Sequence, residues 1–408
     1  MDFNDSPEEA TFRAEVQAFL QANAERKSAS RTVFHVPYGA PEMLPLAREW
    51  QRKKAEAGFV GLTWPREYGG RALPQIFQVI YDQEEANYLV PHSVFGIGLG
   101  MCIPTVMTWA TEEQKRRLVG PAVRGEEIWC QLFSEPSAGS DVAGLQTRAV
   151  RDGNDWVING QKIWTSGAHF SDWGILVARS DPSQPKHKGL TFFFLDMKSP
   201  GISIKPIRQI FGPSNFNEVF FTDVRIPDEQ RMGAVGEGWK VAISTLMNER
   251  LAVGESREPN FSDLFRLCQQ LELEDGPALQ NSLVRDRLAD WFIQQQGSRF
   301  TKFRTMTALS RGQTPGPESS MLKIVNSNKR QAIARFGSEL LEAIGSVTDP
   351  AISPLKAVMQ EALLDSPGAR IGGGTEEILR TVIAERVLGL PAEIRVDKDI
   401  PFKDLAKQ

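Results

Sequence analysis

Asp155-Trp-Val-Ile-Asn-Gly-Gln-Lys-Ile-Trp-Thr165 sets large apolar side chains at alternate positions on either side of Asn159-Gly160. A period of two is a strand signal. Asn-Gly between two such runs predicts a hairpin turn there, because both turn positions need positive φ. Leu190-Thr-Phe-Phe-Phe-Leu195 and Glu218-Val-Phe-Phe221 read as further short buried strands. Strands bounded by Pro and Gly therefore occupy residues 129–236 as a compact β domain.

On both sides of that region the period is helical. Glu9 to Ala22 carries Phe12, Val16, Phe19 and Leu20 at helical spacing, and Met43 to Ala57 shows a similar pattern. Trp64-Pro-Arg-Glu-Tyr-Gly-Gly70 breaks the run with turn residues, so a loop lies there. The helical pattern returns at Gly238 and persists to about Leu388, apart from a linker from Arg311 to Pro317 and a loop near Thr348 to Ser353. The expected fold class is α+β, with a helical domain over 1–128, a central β domain over 129–236 and a helical domain over 237–408. A chain of 408 residues is longer than one core usually supports, which fits several domains.

Composition narrows the function. Net charge is −4 with both signs dispersed, so no basic face marks a nucleic-acid partner. The acidic start, Met1 to Glu9, lacks the apolar core of a secretory signal. Ser93 to Trp109 is the nearest approach to a membrane span. It falls short of the ~20 residues a bilayer requires and contains Gly96, Gly98, Gly100 and Pro104. That stretch is expected to be a buried helix, and the protein to be cytoplasmic. Cys102, Cys130 and Cys268 form no CxxC pair and no HExxH occurs, so neither a disulfide framework nor a metal site is expected.

Three constellations carry chemical potential. On the helix starting near Gly238, Trp239, Ala242, Ile243, Leu246 and Val253 form an apolar stripe, and Glu249 falls in its middle. A carboxylate there is costly unless paired or functional: a buried ion pair is one reading, and a base strengthened by desolvation is the other. Gly372-Gly-Gly374 precedes Thr375, a fitting N-cap for a helix from Glu376 to Leu388. Glycines admit a phosphate close to backbone N–H groups, or simply make a sharp turn, and Glu376 and Glu377 would oppose an anion. Finally, Ser134, Thr165 and Ser166 have hydroxyls suited to the polar edge of a planar ring that Trp164 would cover.

Taken in order, Ser134-Glu-Pro-Ser-Ala-Gly-Ser-Asp141 and Lys162-Ile-Trp-Thr-Ser166 resemble the acyl-CoA dehydrogenase family. The resemblance continues through Trp64 to Gly70, Phe221-Thr-Asp-Val-Arg-Ile-Pro227, Gly236-Glu-Gly-Trp239 and Gly374-Thr-Glu-Glu-Ile-Leu-Arg380, nearly the whole chain. It implies N-terminal helices, a barrel-like β domain and a C-terminal four-helix bundle. It also implies FAD, an acyl-CoA substrate, an electron-transfer flavoprotein as acceptor and a tetramer. By resemblance Gln131, Phe133, Ser134, Trp164, Thr165 and Ser166 line the flavin ring, Gly374, Thr375 and Glu377 contact the cofactor, and Ser140 and Arg250 contact the substrate.

Two departures matter. Many members place the catalytic glutamate directly before the last Gly-Thr, where this chain has Gly373. A minority use a glutamate followed by arginine on the helix after the β domain, which Met247-Asn-Glu249-Arg250-Leu matches, so the resemblance makes Glu249 the base. The Arg-x-x-Phe-Gly segment of homotetrameric members is missing between Glu255 and Pro315; Arg208-Gln-Ile-Phe-Gly212 matches it but lies in the β domain. Glu342-Ala-Ile-Gly-Ser346 is a degenerate Gln-x-x-Gly-Gly, and Pro315 to Lys323 resembles a bacterial branch of fatty-acid and steroid side-chain catabolism. Some of that branch form α2β2 heterotetramers. Rival expectations are an oxidase or other flavin enzyme on the same scaffold, and a non-catalytic subunit.

Overall fold

In a computed structural model, residues 5–28, 40–252, 259–310, 320–394 and 397–405 are described, without the side chains of 249–252, 306, 309 and 310. The chain divides into two units, residues 2–249 with 394–408, and residues 250–393.

In the first unit, α1 (Pro7–Asn23) starts at a capping box in which Ser6 Oγ accepts from the Glu9 amide and Glu9 from the Ser6 amide. Its buried Phe12, Val16 and Leu20 continue the spacing read from the sequence. After β1 (Glu25–Arg26) come α2 (Met43–Glu56) and α3 (Gln75–Glu85), which close a core over Phe59, Phe77, Ile80 and Tyr81, and β2 (Tyr88–Leu89) pairs with β1. A π-helical turn, Gly98–Cys102, runs into α4 (Ile103–Trp109), and α5 (Glu112–Val123) follows. Met101, Cys102, Ile103 and Val106 are buried, so this apolar stretch is a core helix.

The eight-stranded sheet comprises β3 (Trp129–Leu132), β4 (Arg148–Asp152), β5 (Asp155–Ser166), β6 (Trp173–Arg179), β7 (Leu190–Asp196), β8 (Ile202–Ile207), β9 (Phe216–Pro227) and β10 (Arg231–Met232). Their order is β10-β7-β6-β4-β5-β9-β8, with β3 parallel to β6. Central strands bury both faces. Ile175 and Val177 of β6 and Phe192 and Phe194 of β7 pack into the core shared with α4 and α5; the intervening Leu176, Ala178, Phe193 and Leu195 pack into a second core with Trp156, Val219 and Phe221. Burial on both faces is why these strands read as unbroken apolar runs.

The expected turn at Asn159-Gly160 is displaced. β5 runs through both residues, and the β4–β5 hairpin turns at Gly153-Asn154, with Gly153 at φ 62°. Gly160 lies instead at a register shift against β9, where a Cβ would sit 2.7 Å from the Thr147 Cα. Glycine is there because another backbone passes close by, a use that the local dipeptide signal does not separate from a turn.

α6 (Gly238–Ala252) is tied to α4 by Thr105 Oγ1 and Thr245 Oγ1, 2.9 Å apart. Trp239, Ala242 and Leu246 of the expected stripe pack into the core, Val241 and Thr245 join them, and Ile243, 42% exposed, does not. Thr245 satisfies its hydroxyl within α6 and with Thr105 and so buries like an apolar residue. Residues 397–405 return to the same unit, where the Phe402 and Lys403 amides donate to the Gln184 and Pro182 carbonyls.

The second unit holds α7 (Phe261–Gln270), the small hairpin β11 (Glu272–Leu273) and β12 (Gly276–Pro277), α8 (Ser282–Ser310), α9 (Ser320–Leu340), α10 (Val358–Ile371) and α11 (Glu376–Arg386). Leu264, Leu267, Trp291, Ile333 and Met359 make its core. Val253 and the Arg311 to Pro317 linker lie outside the described residues. Among the described residues, no helix is long and apolar enough to cross a membrane, and no group of His, Cys, Asp or Glu is placed to hold a metal ion.

Candidate functional site

The two sequence segments singled out for a planar ring meet in space. β3 ends at Leu132 and the chain turns tightly, Glu135 and Ala138 exchanging backbone bonds of 3.1 and 3.0 Å. The Ser134 carbonyl accepts from the Ile163 amide at 2.9 Å, so the end of β3 lies against the Lys162 to Ser166 end of β5. Phe133 and Thr165 are buried, Gln131, Ser134 and Ser166 are half-buried, and Trp164 is 55% exposed. Together these residues form a wall with one open side.

Pairing of β5 with β9 is interrupted between Lys162 and Thr165. Trp164 occupies this irregularity with φ 59°, a left-handed conformation that costs an aromatic residue about 1–3 kcal/mol. Its ring meets Phe216 edge-on, centroids 5.9 Å apart. Behind it Asn217 Nδ2 donates to the Thr165 carbonyl at 2.9 Å, and its Oδ1 lies 3.0 Å from His169 Nδ1, which therefore carries the proton and donates. Burial holds His169 below the usual imidazole range, favouring that neutral form. The bulge is thus fixed from behind. Thr165 Oγ1 is buried and has no hydrogen-bond partner among the described residues.

Residue-type reasoning missed what joins the two segments. Lys162 is fully buried; its ammonium donates to the Phe133 carbonyl at 3.0 Å and to Glu135 Oε1 at 2.8 Å. Glu135 also accepts from the Gln146 and Thr147 amides at 2.6 and 2.9 Å. Burial pushes the Glu135 carboxyl up, but Lys162 and the two amides more than offset it, leaving it below the usual carboxylate range. A signal was present: Lys162 shares the inward parity of Trp156 and Ile158. Arg179, also buried, donates to the Ala143, Leu145 and Lys186 carbonyls at 2.6, 3.1 and 3.2 Å. Ser140 is exposed in this same segment, beside Asp141, which pairs with Lys186 at 2.8 Å.

Glu249 and Arg250 fall on α6, four and five residues beyond Thr245, and their side chains lie outside the described residues. In the second unit Gly373 and Gly374 take φ 69° and 90°, and Thr375 caps α11 by accepting from the Ile378 amide at 3.3 Å. Lys323 donates to the Gly374 carbonyl at 2.6 Å. Glu376 is buried and neutralised by Arg370 at 2.8 Å, with Asn328 as a further donor. Only Glu377 is left exposed in the first turn, which removes half of the expected opposition to an anion.

Comparison with known proteins matches the chain along its length. The acyl-CoA dehydrogenase N-terminal, middle and C-terminal domain models match residues 6–126, 130–224 and 236–388. Acyl-CoA dehydrogenase IpdE1 of Mycobacterium tuberculosis is 35% identical over 392 residues, covering 94% of this chain and 98% of IpdE1. Acyl-CoA dehydrogenase FadE34 of the same organism is 41% identical over 339 residues, 83% of this chain; the match spans 45% of FadE34, about half its length. The solved ChsE4-ChsE5 complex from M. tuberculosis aligns with a TM-score of 0.78 at 25% identity, over 96% of this chain and 100% of that one.

Proposed function

The chain belongs to the acyl-CoA dehydrogenase family, and from that premise we propose that it converts an acyl-CoA thioester to a trans-2-enoyl-CoA in the cytoplasm. The observation that carries this reading is the wall, with its strained, exposed Trp164 and the unpartnered Thr165 hydroxyl. A buried hydroxyl without a partner is costly, and the polar edge of a flavin ring would satisfy it. Gln131, Phe133, Ser134, Trp164, Thr165 and Ser166 hold the ring. Gly374, Thr375 and Glu377 are cofactor contacts, the glycines admitting a phosphate to the N–H groups that open α11. FAD, when bound, supplies the acceptor for the hydride lost from the substrate β-carbon.

The protein's own groups handle the proton and the substrate. Glu249 takes the α-proton, and Arg250 and Ser140 orient the thioester and its pantetheine arm. Gly373 carries no side chain and cannot act as a base, which leaves the role to α6. The wall excludes water from one side of the ring and is prebuilt by Lys162 and Glu135, so little reorganisation accompanies reaction. Electrons pass on to an electron-transfer flavoprotein. Likeness to the ChsE4-ChsE5 complex favours a heteromeric assembly, in which this chain is the catalytic partner.

Glu249→Gln is expected to keep bound flavin and lose flavin bleaching by acyl-CoA under anaerobic conditions; bleaching at the wild-type rate would refute the assignment. A panel from short-chain to steroidal acyl-CoAs, tested with and without the product of the neighbouring gene, identifies the substrate class and the assembly. Rapid reoxidation by oxygen alone would favour an oxidase.

A further inference from the structure

The Ser140 to Leu145 segment is held by two cations, and each of these is held in turn by the segment 397–405, the tail of the first unit. Arg179 binds the Ala143 and Leu145 carbonyls from beneath, and the ring of Phe402 lies over its guanidinium, 3.5 Å from carbon to ring centroid. Lys186 bridges Asp141 Oδ2 at 2.8 Å and Asp397 Oδ2 at 3.0 Å. The tail is pinned between these points by the Phe402 and Lys403 amides on the β6–β7 connection and by a backbone bridge from Pro401 to Pro185. Arg179 is 3% exposed and has no carboxylate within ion-pair distance among the described residues. Its charge is satisfied by three carbonyls and one aromatic face, and removing that face would open the guanidinium to water.

We infer that residues 397–405 are a positioning strap for the acyl-CoA arm, with Phe402 and Asp397 acting through Arg179 and Lys186 on the segment that carries Ser140. This inference rests on the reading of Ser140 as a substrate contact. Flavin-wall residues have a further support in Lys162, whose ammonium binds the Phe133 carbonyl and Glu135, so loss of the strap is expected to weaken substrate binding more than flavin binding.

The test compares full-length Phe402→Ala, Phe402→Tyr and Asp397→Asn with wild type in two measurements. In the absence of substrate, amide exchange at Gly144 and Leu145, whose N–H groups bond to Asp141 and Val142, is expected to rise about tenfold in Phe402→Ala. KM for octanoyl-CoA, and the dissociation constant for free coenzyme A, are expected to rise by about tenfold, with kcat and flavin content changing less than about twofold. Phe402→Tyr, which keeps the ring face, is expected to restore wild-type values. Asp397→Asn, a surface change, provides the same readouts should Phe402→Ala fail to fold.

Unchanged exchange in both Phe402→Ala and Asp397→Asn overturns the strap. Raised exchange with unchanged KM overturns its link to the substrate arm. A wild-type protein that binds no acyl-CoA and no coenzyme A refutes the functional reading instead, and the exchange measurement then judges the strap alone.

Discussion

Replacing Lys162 by methionine removes one charge from the sheet interior while nearly conserving volume, so the response isolates electrostatics from packing. The side chain is 0% exposed and its partner Glu135 is 5% exposed, so water cannot take over either role. With the ammonium gone, the carboxylate keeps only two backbone donors. It escapes by taking a proton, which costs about 1.4 kcal/mol for each pH unit above its ordinary value near ~4.3. That is about 3.7 kcal/mol at pH 7, within the ~3–5 kcal/mol typical of a broken buried pair, and about 1 kcal/mol at pH 5. The sign follows from the two folded states. In wild type the Glu135 carboxyl is held low, so its stabilisation is complete above the unfolded value, lost only as pH falls through the folded one, and flat from pH 5 to 7. In the variant the folded value is raised, so stability declines as pH climbs over the same interval. Thermal unfolding followed by tryptophan fluorescence should show a midpoint lower by at least about 7–15 °C at pH 7; the Glu135 share is mostly recovered at pH 5, and a share of about 1–3 kcal/mol from the Phe133 carbonyl, left without its donor, persists at both. Adding Glu135→Gln should abolish that pH dependence. A deficit equal at the two pH values would refute the reasoning.

Two further outcomes follow from the backbone. Trp164→Gly relieves a left-handed strain of about 1–3 kcal/mol and forfeits an edge contact worth about 0.5–1.5 kcal/mol, so the melting midpoint should hold or rise. Flavin content per chain, read from the absorbance ratio, should fall by at least about half if the indole covers the ring; undiminished content would remove Trp164 from the wall. Gly160→Ala places a Cβ 2.6 Å from Thr147 Oγ1 and 2.7 Å from its Cα at φ 151°, and should cost roughly 2–4 kcal/mol in denaturant unfolding. A cost below about 1 kcal/mol would show that Thr147 yields easily.

Much of this was legible because it is local or periodic. The spacing of Phe12, Val16 and Leu20, the apolar runs of β6 and β7, and the capping role of Thr375 all follow from neighbours along the chain. The wall was legible as two segments, but not as a joined object. Its junction depends on Lys162 reaching Glu135 across strands, and a lysine at an inward position looks like an exception until its partner is seen. Gly160 misled for the same reason, since Thr147 rather than Asn159 determines why glycine is needed. On α6 a threonine replaced an isoleucine on the buried face because Thr105 stood opposite. Nothing in residues 397–405 marks them as strap-forming, because their partners are an arginine and a lysine far earlier in the chain.

That separation sets a schedule for synthesis. The strands leave the ribosome long before Phe402 does, so the face of Arg179 waits uncovered while the whole helical unit is still being made. The loop that carries Ser140 therefore gains its outer support only after the helical unit between them has been made.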